Sequence, residues 1–482
     1  MDLIQSNKKL QEIEINQDLL RWKIGKWSAW PILRFTVAAQ LAQLTIDTTD
    51  IRLTISEHLQ QSFHDLVGLA KGKHSQVFLY VASSNRVEKE NSLYKDVIFD
   101  DVIQYLSGYF KVETINNKYY RDQSQAALYP SNMTTSSIQL FSNFLSRYFL
   151  TPSVGVIAKR IYSQLQESLP ELNLPRLYIL RILAKYYWSK RIYGSLISYL
   201  KPQIIFLQTA YTNHALVAAA KETNIPVIEF QHGIIDRYHP GYSWTDYATA
   251  YKTQMIIPDR IFIYGDYWRN ELLENGFWDD ELRSVGSLRI DQYRNQVENE
   301  VGKKYQINNR IKKIVVTTQS IAIESLISFL SEFIRYTPTP VELFIKLHPR
   351  EFNRKPYEAA FSNYNNVHII SGYESPSTFE LLSTADYHAS IHSTCHYEAL
   401  GLGIPTIVLP LTNYMRMLPL CDQAPGCALI VNSPAEVGRI ITQNHPVPQE
   451  IRSFFFREKA IDNMLNELQL MGLQTKSKGD SL

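Results

Sequence analysis

The residues best suited to chemistry lie in three short stretches. The first is His392 to Pro405, HSTCHYEALGLGIP. Its hydroxyl residues Ser393 and Thr394 open an expected helix, where backbone N–H groups point outward and favour an anion. Glu398 follows one helical turn after Thr394 and shares its face, so its carboxylate can accept from two ribose hydroxyls. Gly401, Gly403 and Pro405 then stop the helix. The bland alternative is an N-capped helix with a structural Glu. The second stretch is Lys346-Leu347-His348-Pro349-Arg350, which ends a strongly apolar run. Pro349 blocks further ladder pairing. His348 can donate to a phosphate, with Lys346 or Arg350 adding charge. The third is Glu229-Phe230-Gln231-His232-Gly233, followed by Asp236, Arg237, His239, Pro240, Gly241 and Tyr242. His232 is the first candidate general base, because an imidazole titrates near neutral pH; Asp236, His239 and Glu229 compete for that role. Thr317-Thr318-Gln319-Ser320 is a weaker phosphate candidate, through Gln319, Ser320 and the backbone. Gly265-Asp266 and Gly286-Ser287 occupy similar strand-end positions with low specificity.

Such residues must be positioned by elements, and the apolar runs show which. VFLYVA from Val77, QIIFLQ from Gln203, PVIEF from Pro226 and RIFIY from Arg260 read as buried strands separated by helical patterns. Asp96 to Phe99 and Val112 to Ile115 are shorter strand candidates. The alternation restarts with IVVTT from Ile314 and VELFIKL from Val341, then Val367–Ile370, Tyr387–Ile391 and TIVL from Thr406. Strand, helix, strand at this spacing predicts parallel pairing with right-handed crossovers. The expected fold is α/β, with two Rossmann-like domains facing a cleft. The first 70 residues form an N-terminal helical segment, 71–300 an acceptor domain, 301–445 a nucleotide-sugar domain, and 446–482 a closing helix and tail. The polar segment 295–313 serves as the linker. Ligands in such sheets sit beyond the carboxyl ends of the strands, which is where the three stretches fall.

Bulk properties narrow the partners. A chain of 482 residues exceeds one ordinary core. The formal net charge of +2 gives no strong field for nucleic acid. Cys395, Cys421 and Cys427 form neither a disulfide framework nor a metal-ligand spacing. The N-terminus lacks the apolar core of a secretory signal, and no run of about 18 apolar residues appears. A cytoplasmic protein is expected, with residues 19–44 read first as a helical cap packed on the first domain and, as the alternative, as a peripheral contact to the inner face of the cell membrane. That segment mixes Trp22, Trp27, Trp30 and Phe35 with Arg21, Lys23, Lys26 and Arg34, a composition that suits a membrane interface as well as an ordinary packed helix. No P-loop and no clear dinucleotide fingerprint is present. No Asp-x-Asp signature stands out either, so no metal and no cofactor beyond the donor substrate is expected.

At IKLHPRE, HSTCHYEALGLGIPT and FQHGIIDRYHPGY the chain resembles bacterial GT-B glycosyltransferases of capsule and lipopolysaccharide assembly. The resemblance is greatest to sialyltransferases and capsule Kdo transferases that use CMP-activated acidic sugars. It covers mainly residues 200–415. It implies that His348 and Pro349 match the family's His-Pro motif, and that Ser393 and Thr394 match its Ser-Ser/Thr motif, both on the CMP portion of the donor. It implies Glu398 as the ribose ligand. It also implies an inverting, metal-independent transfer to a glycan or lipid-linked acceptor. The acidic motif that supplies the base in several sialyltransferases is absent here, which leaves the base open among His232, Asp236 and His239. CDP-glycerol-type glycerophosphotransferases share the architecture and a His-Pro element. A GT-B-like sugar-nucleotide epimerase and a non-catalytic nucleotide- or glycan-binding assembly protein are the readings from other classes.

Overall fold

The computed structural model describes the chain apart from positions 1–2, 43–53, 72–75, 83–85, 89–92, 97, 118–127, 130, 132, 295–296, 298–310, 320–321, 350, 352, 373 and 475–482. Most of the expected linker, and both Ser320 and Arg350, lie outside the described residues.

Two parallel sheets dominate. The first contains β1 (Val77–Ala82), β2 (Val112–Asn117), β3 (Met133–Thr134), β4 (Ile204–Leu207), β5 (Val227–Phe230), β6 (Arg260–Ile263) and β7 (Leu282–Ser284). Their spatial order is β3-β2-β1-β4-β5-β6-β7. The second contains β8 (Lys312–Thr317), β9 (Val341–Lys346), β10 (Val367–Ile370), β11 (Tyr387–Ser390), β12 (Thr406–Val408) and β13 (Ala428–Ile430), in the order β10-β9-β8-β11-β12-β13. Each sheet starts at its middle, builds outward on one side, and then returns to build on the other. This is the doubly wound Rossmann-like order, with switch points between β1 and β4 and between β8 and β11. Every residue of β4 and β5 is buried, as expected for strands covered by helices on both faces. Two such domains facing a cleft make a GT-B-type fold.

Local readings differ at two places. Asp96 to Phe99 is not a strand of the main sheet. Tyr94–Asp96 pairs with Arg86–Glu88 in a small hairpin, and Phe99 opens a helix to Leu106. The Asp96 carboxylate accepts from the Ile98 and Phe99 amides at 3.0 and 2.7 Å, which turns the chain into that helix. The expected single C-terminal helix is two, Gln449–Phe455 and Ala460–Leu470, broken where Lys459 adopts a left-handed φ of 61°.

The segment read either as a packed helical cap or as a membrane contact packs on the first domain through its apolar side. Leu19, Leu20, Trp27, Trp30, Leu33 and Arg34 are all buried. Trp30 donates its indole N–H to Glu14 at 2.8 Å, and Trp22 donates to Gln164 at 2.6 Å. Arg34 pairs with Glu14, donates to the Ser243 carbonyl at 3.0 Å, and lies 4.0 Å from the Trp244 ring centroid. Trp27, Trp30 and Arg34 therefore face the interior and fasten the N-terminal helices onto the first domain, while Arg21, Lys23 and Lys26 stay exposed. Among the described residues, no helix is long and apolar enough to cross a membrane.

The last helices cross back over the first domain. Ala460, Met464 and Leu468 join the core beneath β1 and β4 to β6. The Arg457 amide donates to the Tyr264 carbonyl at 2.7 Å, and Trp268 donates its indole N–H to the Phe455 carbonyl at 3.0 Å. Gly286, with φ 97°, sits where a β-carbon would strike the Arg457 carbonyl. Only glycine meets both the backbone angle and this close crossing.

Candidate functional site

A cavity of about 150 Å³ lies between the domains. The first domain contributes Gln231, His232, Tyr264, Gly286, Ser287 and Arg289; the second contributes Phe379 and Glu398; the C-terminal strap adds Phe456 and Met464. The residues come from the carboxyl ends of β5, β6 and β7, and from two helices of the second domain, Thr378–Thr384 and Thr394–Gly401.

Gln231 builds the His232 side of the pocket. Its side-chain amide donates to the Gly233 carbonyl at 2.8 Å, and its amide oxygen accepts from the Tyr264 N–H at 2.8 Å. This ties the end of β5 to the end of β6 and fixes the loop that carries His232. His232 Nε2 lies 3.3 Å from the Tyr211 hydroxyl. Burial drives the imidazole down to about 4, although the Gln208 and Phe230 carbonyls favour its protonated form. The ring is therefore neutral at pH 7.

The other two base candidates occupy different settings. His239 accepts from the Gly241 amide at 3.0 Å through Nδ1. Its ring lies 5.2 Å from Tyr211 and 5.0 Å from Tyr242, and burial lowers it to about 3. It props the loop from inside the aromatic cluster and does not line the pocket. Asp236 accepts from the Tyr238 amide at 3.0 Å. Burial raises its carboxyl, while Arg416 of the second domain acts in the opposite sense. It too is absent from the pocket lining. Glu229, within β5, is buried and accepts from the Tyr242 hydroxyl at 2.5 Å; burial lifts its carboxyl to about 8.

In the second domain Glu398 is the expected nucleotide ligand that lines the pocket. Burial raises its carboxyl, and the Arg289 charge across the cavity opposes that shift. Lys346, His348, Pro349, Gln319, Ser393 and Thr394 form a separate rim along the carboxyl ends of β8, β9 and β11. The Thr318 hydroxyl accepts from the His348 amide at 3.0 Å. Gln319 holds His392, with Nε2 and Nδ1 3.1 Å apart and the His392 amide donating back at 3.3 Å. Ser393 accepts from the Cys395 amide at 3.2 Å and so caps the helix. The half-buried Cys395 thiol touches Ser393, Thr317 and Glu398, which joins rim to pocket.

Lys346 departs from the phosphate-binding expectation. It is buried, and its ammonium donates to the carbonyls of Ser371, Glu374 and Pro376. Those three bonds use its donors and hold the turn beside Pro349. The His348 side chain is exposed on the rim. Sequence reasoning placed Gln231 in a candidate stretch without a role of its own, and passed over Arg289, Tyr264 and Phe379. Gly286-Ser287 is the local signal that a strand ends there, but nothing in the spacing marks Arg289.

Among the described residues, no three His, Cys, Asp or Glu side chains gather as a metal's donor set. The fold and cavity define a two-domain protein of GT-B type with a pocket of mixed polar and apolar lining at the domain junction. The sequence matches no protein-family model and no curated protein. Among solved structures, the chain is similar to the UDP-GlcNAc 2-epimerase of Neisseria meningitidis bound to UDP-GlcNAc. Identity is 18%, coverage is 82% of this chain and 99% of that one, and the TM-score is 0.49. The epimerase of Methanocaldococcus jannaschii in complex with UDP-GlcNAc and UDP gives 14% identity, 82% and 99% coverage, and a TM-score of 0.46. MurG of Acinetobacter baumannii gives 14%, 83% and 99%, and 0.45. Likenesses at this level carry no weight for chemistry; the architecture rests on the strand order itself.

Proposed function

We propose that the chain is a glycosyltransferase that works in the interdomain cleft. It moves a sugar from a nucleotide donor to a hydroxyl of a glycan or lipid-linked acceptor in bacterial surface polysaccharide synthesis. A CMP-activated acidic sugar is the first donor to test. The observation that carries this reading is that one pocket is lined by a neutral His232 from the first domain and by Glu398 from the second.

The cavity of about 150 Å³ is smaller than the roughly 300–1,000 Å³ of a pocket that swallows a whole ligand. It suits the sugar and its anionic linkage, with the nucleoside lying outward over the rim of Gln319, His348, Ser393 and Thr394. The helix that begins at Thr394 presents its N-terminal end to that rim and favours the phosphate. In this reading His232 takes the acceptor proton as the hydroxyl attacks the anomeric carbon. The nucleotide leaves with the bonding electrons, its phosphate charge met by the helix end. Domain closure excludes water from the transfer.

Incubation with CMP-, UDP-, GDP- and CDP-linked donors, with and without acceptor glycans, tests the reading. Acceptor-dependent nucleotide release supports transfer. Interconversion of the donor without acceptor would make the chain an epimerase, and glycerophosphate release from CDP-glycerol would make it a glycerophosphotransferase. Binding without turnover would leave a non-catalytic assembly protein. No binding of any donor sinks the proposal.

A further inference from the structure

Arg289 is a cation in the pocket with its hydrogen bonds unspent. It follows β7 on the first-domain wall and is half-buried. Among the described residues, no hydrogen bond or ion pair reaches its guanidinium. Its neighbours act at longer range: Glu398, Glu380, Tyr264 and Tyr293 all feel its charge. The guanidinium carbon lies 3.7 Å from the centroid of the Phe379 ring, which belongs to the second domain. A guanidinium resting over a ring at that distance keeps its charge without being paired. Its N–H groups remain available to the cavity that Arg289 and Phe379 both line. The carboxylates of Glu398 and Asp101 line the same cavity but neither bonds the guanidinium, and a ligand oxyanion placed against its N–H groups would make the close pair that these do not.

We propose that Arg289 is the anion receptor of this pocket and that Phe379 orients it. The receptor takes an oxyanion of the donor, either a sugar carboxylate or the phosphate next to the sugar. Arginine suits this task better than lysine because its donors form a planar fork that matches two oxygens at once. Because Arg289 and Phe379 belong to different domains, the receptor is complete only while the two walls face each other. The inference rests on the nucleotide-sugar reading of the same site, but it concerns the charge that the site recognises, whatever base the nucleotide carries.

Isothermal titration of the full chain tests it, with CMP, free N-acetylneuraminate, CMP-N-acetylneuraminate, UDP-N-acetylglucosamine and inorganic pyrophosphate as probes. Arg289→Met is expected to weaken the probe that carries the recognised anion by about 30-fold or more. Loss confined to the neuraminate probes assigns the carboxylate; loss shared by CMP, pyrophosphate and UDP-N-acetylglucosamine assigns the phosphate. Arg289→Lys should recover only part of the affinity, and Phe379→Leu should weaken it while keeping the charge. Should Arg289→Met fail to fold by its melting profile, the Lys and Leu variants carry the test. Binding of every probe within twofold of wild type in the variants overturns the inference, as does a wild-type chain that binds none of them. Nucleotide binding that ignores Arg289 removes the receptor and leaves the transferase reading intact. Arg289-dependent binding of pyrophosphate or neuraminate without any nucleotide binding does the reverse.

Discussion

Replacing Arg294 by Met removes a clamp between the first domain, the second domain and the C-terminal strap. Arg294 is 5% exposed. Its guanidinium donates to the Gly401 carbonyl at 2.8 Å, the Phe456 carbonyl at 2.6 Å and the Arg452 carbonyl at 3.2 Å, and it lies 3.3 Å from Asp291. Gly401 ends the helix that carries Glu398, and Phe456 lines the pocket, so the clamp sets the spacing of the site. A hydrogen bond from a charged donor contributes about 1.5–3 kcal/mol. Four such bonds, counting the one to Asp291, would sum to more, but the desolvation of a buried guanidinium offsets part of that sum, and bonds sharing one donor group are not additive. Methionine keeps much of the packed stem. The expected local destabilisation is therefore about 2–4 kcal/mol. A two-domain chain is not reliably two-state, so local opening is the proper measure. Hydrogen exchange resolved by peptide should show faster opening over 394–403 and 449–458, with β4 and β5 unchanged. Opening energies at those peptides within about 0.5 kcal/mol of wild type would refute the clamp, and so would a uniform loss across both domains.

Four further outcomes are expected. Glu398→Gln should weaken nucleotide binding by roughly 10- to 100-fold, read by titration; unchanged affinity removes Glu398 as a ligand. His232→Asn should lower turnover by about 100-fold or more. In the wild type, the base form of His232 is lost as pH falls through about 4, so the acid limb of kcat/KM belongs there; a His232-dependent limb at 6.5 contradicts the burial argument. Glu229 is raised by burial from 4.5 to about 8, so the native state holds a proton that the unfolded chain releases. Its contribution to stability is full below about 4.5 and is lost as pH rises through about 8, with a slope of up to about 1.4 kcal/mol per pH unit. Glu229→Gln should flatten urea-denaturation stability across that window, and a persisting slope would assign it to another group. Gly286→Ala should destabilise the strap crossing by at least about 2 kcal/mol, seen as earlier proteolysis after Phe456; wild-type resistance would mean the strap can shift.

The strands were legible because strands of a parallel sheet covered on both faces need unbroken apolar runs. VFLYVA, QIIFLQ, PVIEF and VELFIKL each fall on one. Asp96 to Phe99 misled because a short apolar stretch after an Asp also suits a helix start, and only the hydrogen bonds of that Asp decide. The aromatic and basic segment near Trp27 allowed two readings for a related reason. Composition alone does not say whether a tryptophan meets lipid or a neighbouring helix, and here Glu14 buried on the adjacent helix receives Trp30 and Arg34.

The same division runs through the candidate site. Local pattern alone determined two doubly wound domains, the strand ends, and the positions of His232 just after β5 and Glu398 on the helix after β11, because these depend on periodicity and on short-range helix and turn geometry. Tertiary structure alone decided that Lys346 spends its charge on three carbonyls, that His239 serves the aromatic cluster, that the last helices strap back over the first domain, and that Arg289 faces Glu398 across a shared cavity. Those facts depend on contacts between residues far apart in the chain, and no spacing within one segment encodes which distant carbonyl, ring or carboxylate a side chain will meet.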